Sequence, residues 1–117
     1  EVQAYLAQRI AAAVQGGIGR ERLLIDPGFG FGKTVAHNYT LLARLAQFAL
    51  LAPVLVGLSR KSMLGAVTGR EQPADRVAAS VAAALLACQQ GASIVRVHDV
   101  AATRDALAVW EATRAAH

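Results

Sequence analysis

Residues able to carry ligand chemistry fall in three places along this chain. Asp26 ends the apolar run Leu23-Leu24-Ile25, Ser59-Arg60-Lys61-Ser62 follows Val54-Leu55-Val56-Gly57-Leu58, and Arg96 and His98 alternate through and just past Ile94-Val95-Arg96-Val97. Two cations and two hydroxyls where a strand passes into a helix suit an anion, because backbone N–H groups at a helix start add to them. Residues two apart on a strand share a side, so Arg96 and His98 point one way and Val95 and Val97 the other. Two cationic donors facing one point suit a phosphate or a pyrophosphate leaving group. Each residue also has a plainer reading: Asp26 can open a turn with Pro27, Arg60 and Lys61 can be solvated, and Asp99 can cap the helix after it. For Asp99 the cap is the better reading. For the others, their coincidence at one edge favours function.

That edge follows from the elements. Val2, Leu6, Ile10 and Val14 recur every four residues ahead of Gly16-Gly17, an amphipathic helix with a glycine stop. Strands are predicted near 23–26, 54–58 and 94–97. Between them lie a helix from about Thr34 to Ala49, a short helix through Met63-Leu64, and a long alanine-rich helix from about Asp75 to Gln90 that Gly91 stops; Leu107, Ala108 and Trp110 lie on a final helix. Strands that are continuously apolar and separated by helices indicate a parallel sheet, α/β in class, covered on at least one face. In parallel sheets and barrels, ligands bind at the carboxy ends of the strands.

The loop after the first strand, Asp26-Pro27-Gly28-Phe29-Gly30-Phe31-Gly32-Lys33-Thr34, invites a nucleotide-binding reading that its spacing refuses. A P-loop needs glycine where Pro27 stands, and a dinucleotide fingerprint needs it where Lys33 stands. Such a loop can still bring backbone close to a ligand, and two phenylalanines beside glycines can wall a flat ring or sit in the core of a tight turn. His37 and His117 have no role in these patterns.

Composition bounds the rest. With 55% hydrophobic and 17% charged residues, the chain has enough apolar material for a core. The longest apolar stretch, 48–58, is interrupted by Pro53 and falls far short of the roughly 20 residues that span a bilayer. A net charge of +4 fits an anionic partner, but scattered basic residues and 5% aromatics argue against nucleic acid. The single cysteine, Cys88, excludes an intrachain disulfide, is compatible with a reducing compartment, and reads as a small buried hydrophobe. A helix beginning at the first residues without a starter Met suggests a piece of something longer.

Taken together, Leu24-Ile25-Asp26-Pro27-Gly28-Phe29-Gly30-Phe31-Gly32-Lys33, Val56-Gly57-Leu58-Ser59-Arg60-Lys61-Ser62 and Val95-Arg96-Val97-His98-Asp99-Val100 resemble the bacterial dihydropteroate synthase family, the folate-pathway enzymes targeted by sulfonamides. The resemblance implies the carboxy-terminal half of a (β/α)8 barrel, with residues 1–117 one partial domain running from the fifth helix through the eighth. It implies that Asp26 accepts from the amino and ring N–H groups of a pterin, that Lys61 donates to the pterin's other edge, and that Arg96 lies against its face while reaching phosphate. His98 would join Arg96 on the departing pyrophosphate. Phe31, Ser59 and Arg60 would hold p-aminobenzoate, and Gly30 and Gly57 would let backbone approach the substrates. The implied reaction condenses 6-hydroxymethyl-7,8-dihydropterin pyrophosphate with p-aminobenzoate in a cytoplasmic homodimer. The family's Mg²⁺-binding asparagine, two mobile loops and part of the pterin cage belong to a first half not present here, so this piece alone is expected to lack activity and to hold no metal. The rivals are a pterin-binding methyltransferase barrel, which would have little use for a pyrophosphate clamp, and a non-catalytic half-barrel scaffold.

Overall fold

A computed structural model describes residues 2–30 and 33–116. Helix α1 (Val2–Gln15) packs Val2, Leu6 and Ile10 against the core, while Val14, the last member of the stripe, is exposed. Gly17 then takes φ +99 as the helix unwinds, a left-handed conformation that glycine adopts without a Cβ penalty. A 3₁₀ turn at Arg20–Arg22 follows.

The expected helix from Thr34 to Ala49 is two helices, α2 (Val35–Ala43) and α3 (Leu45–Ala49), separated at Arg44. The break has an identifiable cause. The N–H of Ala46 donates to the side-chain carbonyl of Gln90 at 3.2 Å, and a side chain entering a helical ladder supports a kink. Leu41, Leu42, Leu45 and Phe48 stay buried across it. Helix α2 begins with Thr34 as its cap, the hydroxyl accepting from His37 N–H at 3.1 Å. That gives the Gly-Lys-Thr sequence a structural use at its threonine.

Strands β1 (Leu55–Val56) and β2 (Ile94–Val95) pair in parallel, with Leu55 opposite Ile94 and Val56 opposite Val95. The first predicted strand contributes a single parallel bridge, Ile25 to Val54. Pro27, which has no N–H to donate, follows closely and limits that ladder. The order in space is therefore the order in sequence, with the Val54 segment in the middle. Helix α4 (Ser62–Thr68) is tied to α2 by the Tyr39 hydroxyl, which donates to Met63 O at 2.8 Å. Helix α5 (Val77–Gln89) buries Ser80, Ala83, Ala84 and Ala87, a face of small residues at helical spacing that admits close neighbours. Helix α6 (Val100–Ala115) packs on α5 and buries Thr103. No helix among the described residues is long and apolar enough to cross a membrane.

Leu45 is wholly buried and Leu50 is 85% exposed. Leu45→Ala should therefore lower unfolding free energy by about 2–5 kcal/mol through lost transfer and a residual cavity. Leu50→Ala should stay within about 0.5 kcal/mol. Denaturant titration of both variants checks the contrast.

Candidate functional site

The loop after the Ile25 bridge is fastened from four directions. Gly28 N–H donates to Asp26 Oδ1 at 2.8 Å, an Asx turn, so the plainer reading of Asp26 holds for one carboxylate oxygen. Lys33 Nζ donates to Gly28 O at 2.8 Å and Lys61 Nζ to Phe29 O at 2.6 Å. Gly30 N–H donates to Asn38 Oδ1 at 2.9 Å, and Asn38 is buried. Gly28 and Gly30 both have positive φ, +77 and +86. The expectation that exposed phenylalanines wall a ring fails at Phe29, whose side chain is 1% exposed and belongs to the core. Its burial turns an apolar side chain inward and leaves the carbonyl for Lys61. Phe31 lies outside the described residues.

The second loop turns sharply. Leu58 and Ser59 are buried, Arg60 has φ +58, and Lys61 N–H closes the turn on Leu58 O at 3.2 Å before α4 begins at Ser62. Past β2, exposure alternates: Arg96 and His98 are exposed while Val95 and Val97 are half-buried, as the strand periodicity anticipates. Ser59 joins the two loops. Its hydroxyl accepts the backbone N–H of His98 at 3.1 Å and lies 2.9 Å from His98 Nδ1. Gly57 leaves room for Arg96: a Cβ at residue 57 would stand 2.5 Å from the Arg96 guanidinium.

The result is a cavity of about 110 Å³ lined by Gly57, Ser59, Lys61, Arg96, Val97 and His98. Asp26 and Gly30 adjoin it through Lys61, whose ammonium feels the Asp26 charge and whose stem lies against Gly30. A roomier cavity of about 460 Å³, with Val2, His37, Arg44 and Phe48 in its walls, brings together none of the predicted site residues.

Arg60 goes elsewhere. Its Nη2 and Nε donate to the two oxygens of Asp99 at 2.7 and 3.2 Å, leaving Nη1 as its outer donor. This corrects the reading of Asp99 as a cap. Asp99 stands at the N-cap position of α6, but its carboxylate makes no capping bond, because the guanidinium fork offers a charge-assisted bidentate partner. That hydrogen bond holds the Asp99 carboxyl below its ordinary 3.8. The pair's contribution is thus present at neutral pH and lost as the pH falls through that depressed value. Asn38 is a functional candidate that the sequence pattern did not single out; a polar residue in the first turn of an apolar helix is its only signal. Cys88 is half-buried, and burial pushes its thiol up, away from thiolate reactivity.

The site is strongly cationic, which bears on metal binding. Among the described residues, no three His, Cys, Asp or Glu side chains come together to hold an ion. The donors around the cavity are ammonium, guanidinium, imidazole and hydroxyl, so they do not fit Mg²⁺, a cation that takes oxygen ligands, chiefly carboxylate and water.

These features define a class: part of a parallel β/α barrel whose strand-end loops gather a cationic site. Within that class the chain belongs to the pterin-binding enzyme family, whose sequence profile matches residues 1–98. It is 52% identical over 117 residues to dihydropteroate synthase of Escherichia coli (strain K12), covering 99% of this chain and 41% of that protein. Dihydropteroate synthase from Xanthomonas albilineans, solved in complex with 7,8-dihydropteroate, superposes with a TM-score of 0.97 at 59% identity, covering 99% of this chain and 45% of that one. The same enzyme has been solved with 4-aminobenzoic acid, with the same score and identity. A Yersinia pestis dihydropteroate synthase with a sulfonamide drug complex matches at 48% identity and a TM-score of 0.93, over 98% of this chain and 42% of that one. The chain spans about 41% of the length of the Escherichia coli relative.

Burial lowers the pKa of Lys61, Arg96 and Lys33 lower it further, and Asp26 opposes them. Asp26→Asn should therefore move the Lys61 titration to lower pH, and Arg96→Ala should move it to higher pH. NMR of the lysine side chain across the alkaline range reads both directions; like-signed shifts would detach these groups from one another.

Proposed function

We propose that this chain forms one wall of a dihydropteroate synthase active site, condensing 6-hydroxymethyl-7,8-dihydropterin pyrophosphate with p-aminobenzoate. The observation that carries the reading is the convergence of Lys61, Arg96 and His98 on one cavity floored by Gly57 and Ser59. Relatives at this level of identity hold dihydropteroate and p-aminobenzoate, which supports the two substrates.

In this reading Asp26 accepts from the pterin's amino and ring N–H groups, Lys61 donates to its other edge, and Gly30 keeps the loop backbone close. Arg96 and His98 hold the pyrophosphate. As the carbon–oxygen bond breaks, charge collects on the leaving group, and fixed donors, the Arg96 guanidinium among them, stabilise that state more than the ground state. The cationic pterin methylene is then attacked by the arylamine nitrogen, which forms the carbon–nitrogen bond and loses one proton to solvent. A neutral amine needs no activated nucleophile, so no general base is invoked. Ser59, Arg60 and Phe31 are assigned to p-aminobenzoate, with Arg60 acting through its outer Nη1 while Asp99 holds the rest. No step is assigned to Mg²⁺ in this segment. A homodimer in the cytoplasm completes the reading.

The test is a full barrel in which this segment replaces its counterpart in the Xanthomonas albilineans enzyme. Synthase turnover is expected from the hybrid and none from the segment alone. A folded hybrid without turnover would sink the proposal. Within it, Asp26→Asn should weaken pterin binding at least tenfold, since a charge-assisted pair contributes about 1.5–3 kcal/mol. Arg96→Ala should depress kcat more than it raises KM for p-aminobenzoate, because the arginine acts where leaving-group charge develops. Equal effects on both would point to a disturbed fold.

A further inference from the structure

Arg60 is the one non-glycine residue with positive φ among the described residues. A long L side chain stays in that region only where its surroundings over-determine it. Those surroundings lie at the start of α5. Ser80 Oγ accepts Arg60 N–H at 2.8 Å and is itself oriented by donating to Arg76 O. Arg76 Nη1 donates to Arg60 O at 2.9 Å. The two ends of one strained residue are therefore held by two side chains four residues apart on the neighbouring element.

Arg76 does more than meet one carbonyl. Its Nε donates to Arg70 O at 2.9 Å and its Nη2 to Glu71 O at 2.7 Å, so one guanidinium ties the Arg60 turn to the loop that leads into α5. Space for it is kept by Gly65, where an added Cβ would stand 2.7 Å from two guanidinium nitrogens and 2.6 Å from Arg70 O. Neither Arg76 nor Ser80 lines the cavity of Lys61, Arg96 and His98.

We propose that Arg76 and Ser80 are positioning residues that set the p-aminobenzoate side of the site by clamping the Arg60 peptide in its left-handed turn, a proposal that rests on the synthase reading above. Release of the clamp lets residue 60 relax toward negative φ, which re-aims its guanidinium and the adjoining Ser59 hydroxyl. Lys61 is less affected, because its ammonium has an anchor on another loop, Nζ to Phe29 O. The two substrates should therefore respond unequally.

The experiment is steady-state kinetics on the full-barrel hybrid carrying Arg76→Gln, Arg76→Lys or Ser80→Ala, with both substrates varied. Arg76→Gln should raise KM for p-aminobenzoate about tenfold, and leave KM for the pterin pyrophosphate within about twofold, the size expected for a lost charge-assisted bond acting at one subsite. Arg76→Lys, which restores one donor without the fork, and Ser80→Ala, which removes only the N–H partner, should shift the same KM by less. If Arg76→Gln does not fold, the Ser80→Ala and Arg76→Lys pair carries the same split. A hybrid without turnover defeats the synthase reading and this proposal with it. Turnover with both KM values unchanged in the variants, or raised equally, defeats the clamp alone.

Discussion

The carbonyl of Val54 accepts from Ser93 and Ile94 N–H at 2.9 and 3.2 Å, while Pro53 O and Leu55 N–H bond the two sides of Ile25 at 2.9 and 2.8 Å. One short segment thereby sets the register of both its neighbours. Because parallel strands all run the same way, fixing that register also brings their carboxy ends level, and the three loops that follow must emerge side by side. Asp26, Lys61 and Arg96 come from positions 35 residues apart in chain order, and this ladder is what makes them neighbours. A slip of one residue in the last strand would exchange Arg96 and His98 with Val95 and Val97 and turn both polar side chains away from the site.

Above that ladder, the loops hold one another through side chains that reach across to backbone. Lys61 meets Phe29 O, Ser59 meets His98 N–H, and Arg60 is gripped by Asp99 at its guanidinium and by Ser80 and Arg76 at its peptide. Most of these bonds join loops following different strands. Such cross-ties suit a site built on loops, which would otherwise be its least rigid part.

How much of this could be read from residue order follows from the physics of each signal. The strand-end positions were legible because apolar runs ending in Asp-Pro-Gly or Ser-Arg-Lys mark a strand and its exit whatever surrounds them. Their lengths were not, since a ladder exists only where a neighbour supplies the facing groups, and Ile25 finds just one bridge. Phe29 and the Arg44 break were opaque for a related reason. A phenylalanine between glycines looks the same whether it turns in or out, and the carbonyl that meets Ala46 belongs to Gln90, 44 residues away. Asp99 sat where a cap would sit, and only the fold reveals the guanidinium 39 residues back that outbids the helix N–H groups. Asn38, Arg76 and Ser80 read as ordinary polar residues in helices; their partners are main-chain atoms, which carry no identity in a sequence.

The bond from Lys61 Nζ to Phe29 O bears on recognition in a further way. A lysine at an open surface samples many rotamers, and ordering a side chain of that kind on binding costs about 0.5–1.5 kcal/mol. Here the four-carbon stem lies along Gly30 and the ammonium is already placed on a carbonyl before any ligand arrives. The loss of rotamer freedom is borne by folding, and an incoming acceptor meets a donor whose position is set. What it gains is then a difference, because the ammonium shares its hydrogen bonds between the ligand and Phe29 O. In the proposed site, selectivity at this edge therefore turns on how well an acceptor matches a fixed point in space, with little left to the adaptability of the lysine.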